Sequence, residues 1–146
     1  MTGVQTCALP IYAAGYSNTT GTVDAFGYQA GYGNTTGTYN VAMGYKALYT
    51  NSTGSYNTAL GQQSLQSNTT ASYNTAVGYQ SLYANTTGQY STALGTFALK
   101  ANTTGQQSVA VGINSLIANT TGSYNTALGT DALQANTTAS SNTAVG

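Results

Sequence analysis

Histidine and tryptophan are absent from this chain, and cysteine and proline occur once each. Charge is almost absent too. Lys46, Lys100, Asp24 and Asp131 are the only charged side chains in 146 residues, and they sum to zero. Each absence excludes something. Without a basic patch there is no electrostatic footprint for nucleic acid and no polybasic surface for anionic lipid. No stretch approaches the ~18–20 consecutive apolar residues of a membrane-spanning helix, so membrane insertion is not expected of this segment. Without histidine, and with the two aspartates far apart in sequence, no carboxylate pair, metal cluster or nucleophile–base pair is expected. No glycine-rich phosphate loop is present. The chain is expected not to be an enzyme and to need no cofactor or metal.

Low charge combined with 13 tyrosines does not match charge-driven disorder, which needs high net charge and few aromatics. An Asn/Tyr-rich, prion-like tract is the disordered alternative. The strict 17-residue period of the chain opposes it.

Residues 1–11, MTGVQTCALPI, share nothing with the rest of the chain and hold both Cys7 and Pro10. They read as a translated sequencing adapter, a non-native segment. The repeat phase starts at Tyr12, where YAAGYSNTTG (12–21) parallels YQAGYGNTTG (28–37). A short signal peptide is the alternative, but the segment lacks a basic start and a convincing apolar stretch. On the adapter reading, Cys7 carries no information about redox compartment.

From Tyr12 onward the chain repeats. The glycine of ALG or AVG falls at Gly44, Gly61, Gly78, Gly95, Gly112, Gly129 and Gly146, each 17 residues after the last, and Gly27 precedes Gly44 by the same interval. The repeat is G-x-x-[AS]-L-x-x-N-T-T-[GA]-x-Y-N-T-A-[LV]. A fixed short period is the mark of a solenoid in which each repeat forms one coil. One residue is missing between Gly21 and Gly27, where the Asn-Thr-Thr spacing shrinks to 16. Gly31 stands where other repeats have Leu.

No helical stripe fits this pattern, and glycine with Asn-Thr-Thr in every repeat interrupts any helix. YNTA[LV] alternates as a strand does, x-[AS]-L-x suggests a second short strand, and NTTG reads as a turn. The expected fold is an all-β, parallel β-solenoid of about eight 17-residue coils over residues 12–146. At ~4.8 Å per strand spacing the rod would be roughly 35–40 Å long. Stacking also accounts for the missing charge. A consensus lysine would set like charges one strand spacing apart, which is destabilising, whereas Asn and Tyr form favourable ladders.

In NTA[LV]G the Ala and the Leu/Val must face opposite ways. The sequence reading puts Leu/Val inside with the Leu of the second strand. It puts the invariant Ala42, Ala59, Ala76, Ala93, Ala110 and Ala127 outside as a candidate subunit seam, where only a small side chain admits a close neighbour. Two alternatives stand: Ala fits a tight turn before Gly, or the two faces are reversed.

YNTALGQQSL, YNTAVGYQSL and QSVAVGINSL resemble the head repeats of trimeric autotransporter adhesins, whose motif is close to N-S-V-A-I-G-x-x-S. QSVAVGINS (107–115) is the nearest match. The NTALG…NTTG array also resembles those of phage-type tail fibres and of bacterial surface proteins that end in a tail-fibre chaperone domain. The resemblance covers residues 12–146. It implies a left-handed parallel β-roll with three identical chains about one axis, in an extracellular, cell-surface or virion fibre. The chain departs from adhesin heads in its 17-residue period, its many tyrosines, and Thr58, Thr75 and Thr92 where the motif has Val. Both ends stop within a repeat, so the array is expected to be an internal piece of a longer fibre.

The expected function is structural and adhesive: a rod that displays weak sites in rows for a host surface protein or glycan. Tyr39, Tyr56, Tyr73, Tyr90 and Tyr124 form the candidate recognition column, since tyrosine pairs an apolar body with a polar tip. Ladder packing between coils is the alternative. NTT and NST match the N-glycan acceptor at Asn18, Asn34, Asn51, Asn68, Asn85, Asn102, Asn119 and Asn136, or are simply good turn formers. Ice binding by threonine files on a monomeric solenoid is a further alternative, although the Thr-Thr pairs sit in turns.

Overall fold

The β-branched Thr or Val that opens most of these stretches favours extended backbone, and each repeat closes on one such strand. The computed structural model describes residues 12–146. The segment 1–11, with Cys7 and Pro10, lies outside the described residues. The strands are β1 Val23–Phe26, β2 Asn40–Met43, β3 Thr58–Leu60, β4 Thr75–Val77, β5 Thr92–Leu94, β6 Val109–Val111, β7 Thr126–Leu128 and β8 Thr143–Val145. They form one eight-stranded sheet in sequence order. Every pairing is parallel, and partners such as Thr58↔Thr75 and Thr75↔Thr92 advance by one repeat. The chain is a parallel β-solenoid, and no helix occurs among the described residues.

The second expected strand, x-[AS]-L-x, is not a strand. Each coil has a single strand, and the stretch after the glycine is a run of turns. Its backbone alternates into the left-handed region at Gly61 (φ 132°), Gln63 (φ 59°) and Leu65 (φ 48°). Alternation aims successive amides at opposite neighbours. Gln63 N donates back to Tyr45 O at 2.8 Å, and Leu65 N donates forward to Ser81 O at 3.0 Å. Coils are therefore hydrogen-bonded through their turns as well as their strands. The left-handed leucines carry a cost of ~1–2 kcal/mol each. Burial of the leucine side chain offsets it by ~1.5–3 kcal/mol.

The two faces of the strand are reversed relative to the sequence reading. Ala42, Ala59, Ala76, Ala93, Ala110 and Ala127 are fully buried inside the coil, packed with the buried leucines. Leu/Val side chains of the same strands point out, with Leu94 37% and Leu128 38% exposed. The cause is space. Leu48, Leu65, Leu82, Leu99 and Leu116 already fill the interior from the opposite wall, which leaves room on the strand side for a methyl group only.

Two irregularities of the first coils have local causes. Gly31 replaces Leu at a left-handed position (φ 60°), where glycine is unstrained. Val23 fills the vacated volume, and a Cβ on Gly31 would lie 3.0 Å from its Cγ2. The missing residue falls between Gly21 and Val23, where later coils carry the Tyr39-type residue. Thr22 closes the gap, its Oγ1 accepting from Tyr39 N at 2.7 Å.

Candidate functional site

Three repeated surfaces carry the chemistry of this rod. The first is the outer face of the sheet. Side chains two apart on a strand share a face, so Tyr56, Thr58 and Leu60 point outward while Asn57 and Ala59 point in. Repetition turns these into columns. One is Asp24, Val41, Thr58, Thr75, Thr92, Val109, Thr126 and Thr143; beside it runs Phe26, Met43, Leu60, Val77, Leu94, Val111, Leu128 and Val145. Asp24 is the sole formal charge in either column. Phe26 (51%), Met43 (46%) and Val145 (77%) are the most exposed of the apolar column. The sequence reading missed this face because it sent the column inward.

The second surface is the tyrosine column. Tyr39, Tyr56, Tyr73 and Tyr90 sit at left-handed φ of 57–61° and stack ring on ring. Centroids are 5.0, 4.9 and 5.0 Å apart along the series, with interplanar angles of 21°, 5° and 5°. All four rings stay exposed. The geometry is that of the ladder-packing reading, with the ladder on an exposed edge. Stacking covers the π-faces, so the ladder offers ring edges and hydroxyls. Tyr124 stands apart, because Gln107 and Ser141 occupy the neighbouring positions of its column. Two shorter ladders, Tyr12–Tyr28–Tyr45 and Tyr16–Tyr32–Tyr49, run along the turns at 5.3–5.4 Å spacing. Lys46 Nζ lies 5.5 Å from the Tyr45 ring and 5.2 Å from the Tyr49 ring, within cation–π range.

The third surface is the NTT turn, and here the candidate glycan acceptors face the wrong way. Asn34, Asn51, Asn68, Asn85, Asn102 and Asn119 are buried. Asn51 Nδ2 donates to Asn34 Oδ1 at 2.7 Å and to Gly54 O at 2.8 Å, which uses both its protons. Asn102 repeats the arrangement with Asn85 and Gly105. A glycan cannot reach these nitrogens in the folded coil. The end members Asn18 and Asn136 are half-buried; Asn136 still bonds to Asn119 and Ala139, and Asn18 to Gly21.

A second buried ladder runs beside the first. Asn57 N donates to Asn40 Oδ1 at 2.9 Å, and Asn74 N to Asn57 Oδ1 at 3.1 Å. Ser91 and Ser108 replace Asn further along and keep the chain of bonds: Ser108 N donates to Ser91 Oγ at 3.3 Å and Asn125 N to Ser108 Oγ at 3.2 Å. In the NTT turn the first threonine also serves the stack, with Thr69 Oγ1 donating to Thr86 O at 3.1 Å. The second threonine, such as Thr70 or Thr87, is exposed.

Among the described residues no group of three or more Cys, Asp or Glu side chains could hold a metal ion, and no helix is long and apolar enough to cross a membrane. The fold and its surfaces define a class, a tandem-repeat parallel β-solenoid whose outer sheet face carries one apolar column and almost no charge. No protein-family model, no curated protein and no solved structure matches the chain.

Proposed function

We propose that this array is a structural and adhesive segment of an extracellular fibre, in which the outer sheet face packs against further copies of the chain as a left-handed homotrimeric rod. One observation carries the reading. A single file of apolar side chains, from Phe26 in β1 to Val145 in β8, runs along the outer face of the sheet, with Phe26, Met43, Leu94, Leu128 and Val145 exposed. A contiguous apolar strip of this kind marks an interaction site. Its occupant is a second copy, because only a partner with the same axial repeat meets every coil alike. The near-absence of charge in both columns removes the repulsion that identical faces would otherwise impose. The seam is thus the Thr/Leu/Val face rather than the Ala column.

The resemblance to adhesin head repeats and tail-fibre arrays supports the same role. The rod stands clear of its anchor and presents the exposed tyrosine edges to a host protein or glycan in rows, so that weak contacts add by avidity. Its work is mechanical and needs neither catalysis nor a cofactor.

The test is the solution mass of residues 12–146, fused to a neutral folded domain at each end, by light scattering. A trimer is expected. A folded monomer overturns the seam. It would favour a second reading that one observation also supports: Thr58, Thr75, Thr92, Thr126 and Thr143 form a threonine file, interrupted by Val109, along the outer sheet face, an arrangement suited to an ice-binding surface. Thermal hysteresis in the monomer would establish that reading.

A further inference from the structure

The tyrosine ladder has a chemical consequence beyond packing. Phenols couple oxidatively when two of their radicals meet, and proximity replaces that bimolecular encounter with an intramolecular one. In this chain Tyr39, Tyr56, Tyr73 and Tyr90 are held ring over ring at 4.9–5.0 Å. Their exposures run from 48% to 66%, so a diffusing oxidant or an enzyme reaches each phenol. Because the rings are exposed, rotamer motion is fast and brings ortho carbons of adjacent rings together.

We propose that the Tyr39–Tyr56–Tyr73–Tyr90 ladder is an oxidative cross-linking site, at which a peroxide-driven one-electron oxidant joins successive coils through dityrosine. Each of two adjacent phenols gives up one electron and one proton. The resulting phenoxyl radicals form a carbon–carbon bond between ortho positions, and tautomerisation moves the two ortho hydrogens onto the oxygens. One hydrogen peroxide takes up the two electrons and two protons and leaves as two waters. The product ties residues one repeat apart in sequence and one strand spacing apart in space. It would lock neighbouring coils against unravelling in a chain whose only cysteine is Cys7.

Tyr124 and Tyr79 serve as internal controls. Tyr124 has no stacked partner among the described residues. Tyr79 meets Phe97 edge to face, at an interplanar angle of 62°, and phenylalanine yields no phenoxyl radical. The turn ladders are tyrosine stacks as well, at 5.3–5.4 Å, and by the same chemistry they form secondary links rather than controls.

The experiment treats the whole chain, with Cys7 alkylated, with a haem peroxidase and hydrogen peroxide at low protein concentration. Dityrosine fluorescence and mapped cross-linked peptides are the readouts. Links are expected at 39–56, 56–73 and 73–90, at least about tenfold above any link to Tyr124, with a yield per chain independent of dilution. Tyr73→Phe keeps the ring and the stack, and should abolish the 56–73 and 73–90 links while sparing 39–56. A yield that rises with protein concentration, links to Tyr124 at equal frequency, or an unchanged map in Tyr73→Phe would each overturn the proposal.

Discussion

Asn68 Nδ2 donates to Asn51 Oδ1 at 2.7 Å and to Ala71 O at 3.0 Å, while Asn68 Oδ1 accepts from Asn85 Nδ2 at 3.1 Å. One buried side chain thus closes its own turn and joins the coils on either side. Asn68→Ala removes all three bonds and leaves Asn51 Oδ1 short of a donor. The expected loss is about 3 kcal/mol, from ~1–3 kcal/mol for each buried group left unpaired. Denaturant unfolding of the variant against the parent measures it.

Asn68→Asp should make stability depend on pH, although the parent has no ionisable group at this point. An ionised carboxylate here would be buried and would face two acceptors, Asn51 Oδ1 and Ala71 O. Both burial and repulsion raise its folded pKa above the ~3.9 of the unfolded chain. The variant is therefore most stable below about pH 4, where both states are protonated. It loses stability as pH rises from there through the raised folded value. A melting temperature that rises with pH over this range would contradict the ladder.

Gly78 and Gly88 belong to different columns and should respond differently to alanine. Gly78 has φ of +127°, and a Cβ there would lie 2.7 Å from the Gly95 carbonyl. Strain and overlap together should cost Gly78→Ala about 2–4 kcal/mol. A Cβ on Gly88 would crowd the Gly105 carbonyl of the next coil even more closely, but its backbone is not left-handed and its column already accommodates Ala71 and Ala139. Gly88→Ala is expected to stay within about 1 kcal/mol. Paired thermal melts of the two variants decide the point.

Much of this fold is legible in the sequence, and the parts that are not share a cause. The period, the parallel coil and the stacked columns follow from spacing alone. The faces are misread when hydrophobicity alone marks the interior. In an exact stack the better mark is constant volume. The Leu48-type column is Leu in every coil from Leu48 to Leu133, and the Ala42-type column never varies. The outward column wanders from Phe26 through Met43 to Val77, a freedom that a packed interior does not grant. The asparagines are misplaced for a related reason. A buried amide is unfavourable in one coil and favourable in a ladder, because each copy satisfies the next. Composition does not reveal that reciprocity; the fixed spacing of Asn34, Asn51 and Asn68 does. The second strand fails because x-[AS]-L-x carries no sign of a left-handed leucine except at Gly15 and Gly31, where glycine stands at the same left-handed position.

Gln107 interrupts the tyrosine column between Tyr90 and Tyr124, at a backbone φ of 51° that tyrosine already adopts in neighbouring coils. Gln107→Tyr should restore a continuous ladder with two new stacked pairs. The expected gain is about 1–3 kcal/mol, at ~0.5–1.5 kcal/mol per aromatic pair. A higher melting temperature and the appearance of cross-links at Tyr124 under the oxidant are the two readouts.

Ala93 and Leu94 are adjacent in β5, and aspartate at each asks a different question. Ala93 is fully buried and Leu94 is 37% exposed. Ala93→Asp places an unpaired charge inside the coil at a cost of about 3–5 kcal/mol, so far-UV circular dichroism should show local or global unfolding. Leu94→Asp puts the charge on the outer face, where water receives it in a lone chain. The coil should keep its spectrum. In an assembly the same charge enters the seam three times over, and the mass by light scattering should fall to that of a single chain. If Leu94→Asp leaves the mass of a trimer intact while Ala93→Asp lowers it, the seam runs elsewhere on the rod. If Leu94→Asp dissociates a folded coil, the apolar file from Phe26 to Val145 is the surface that holds the fibre together.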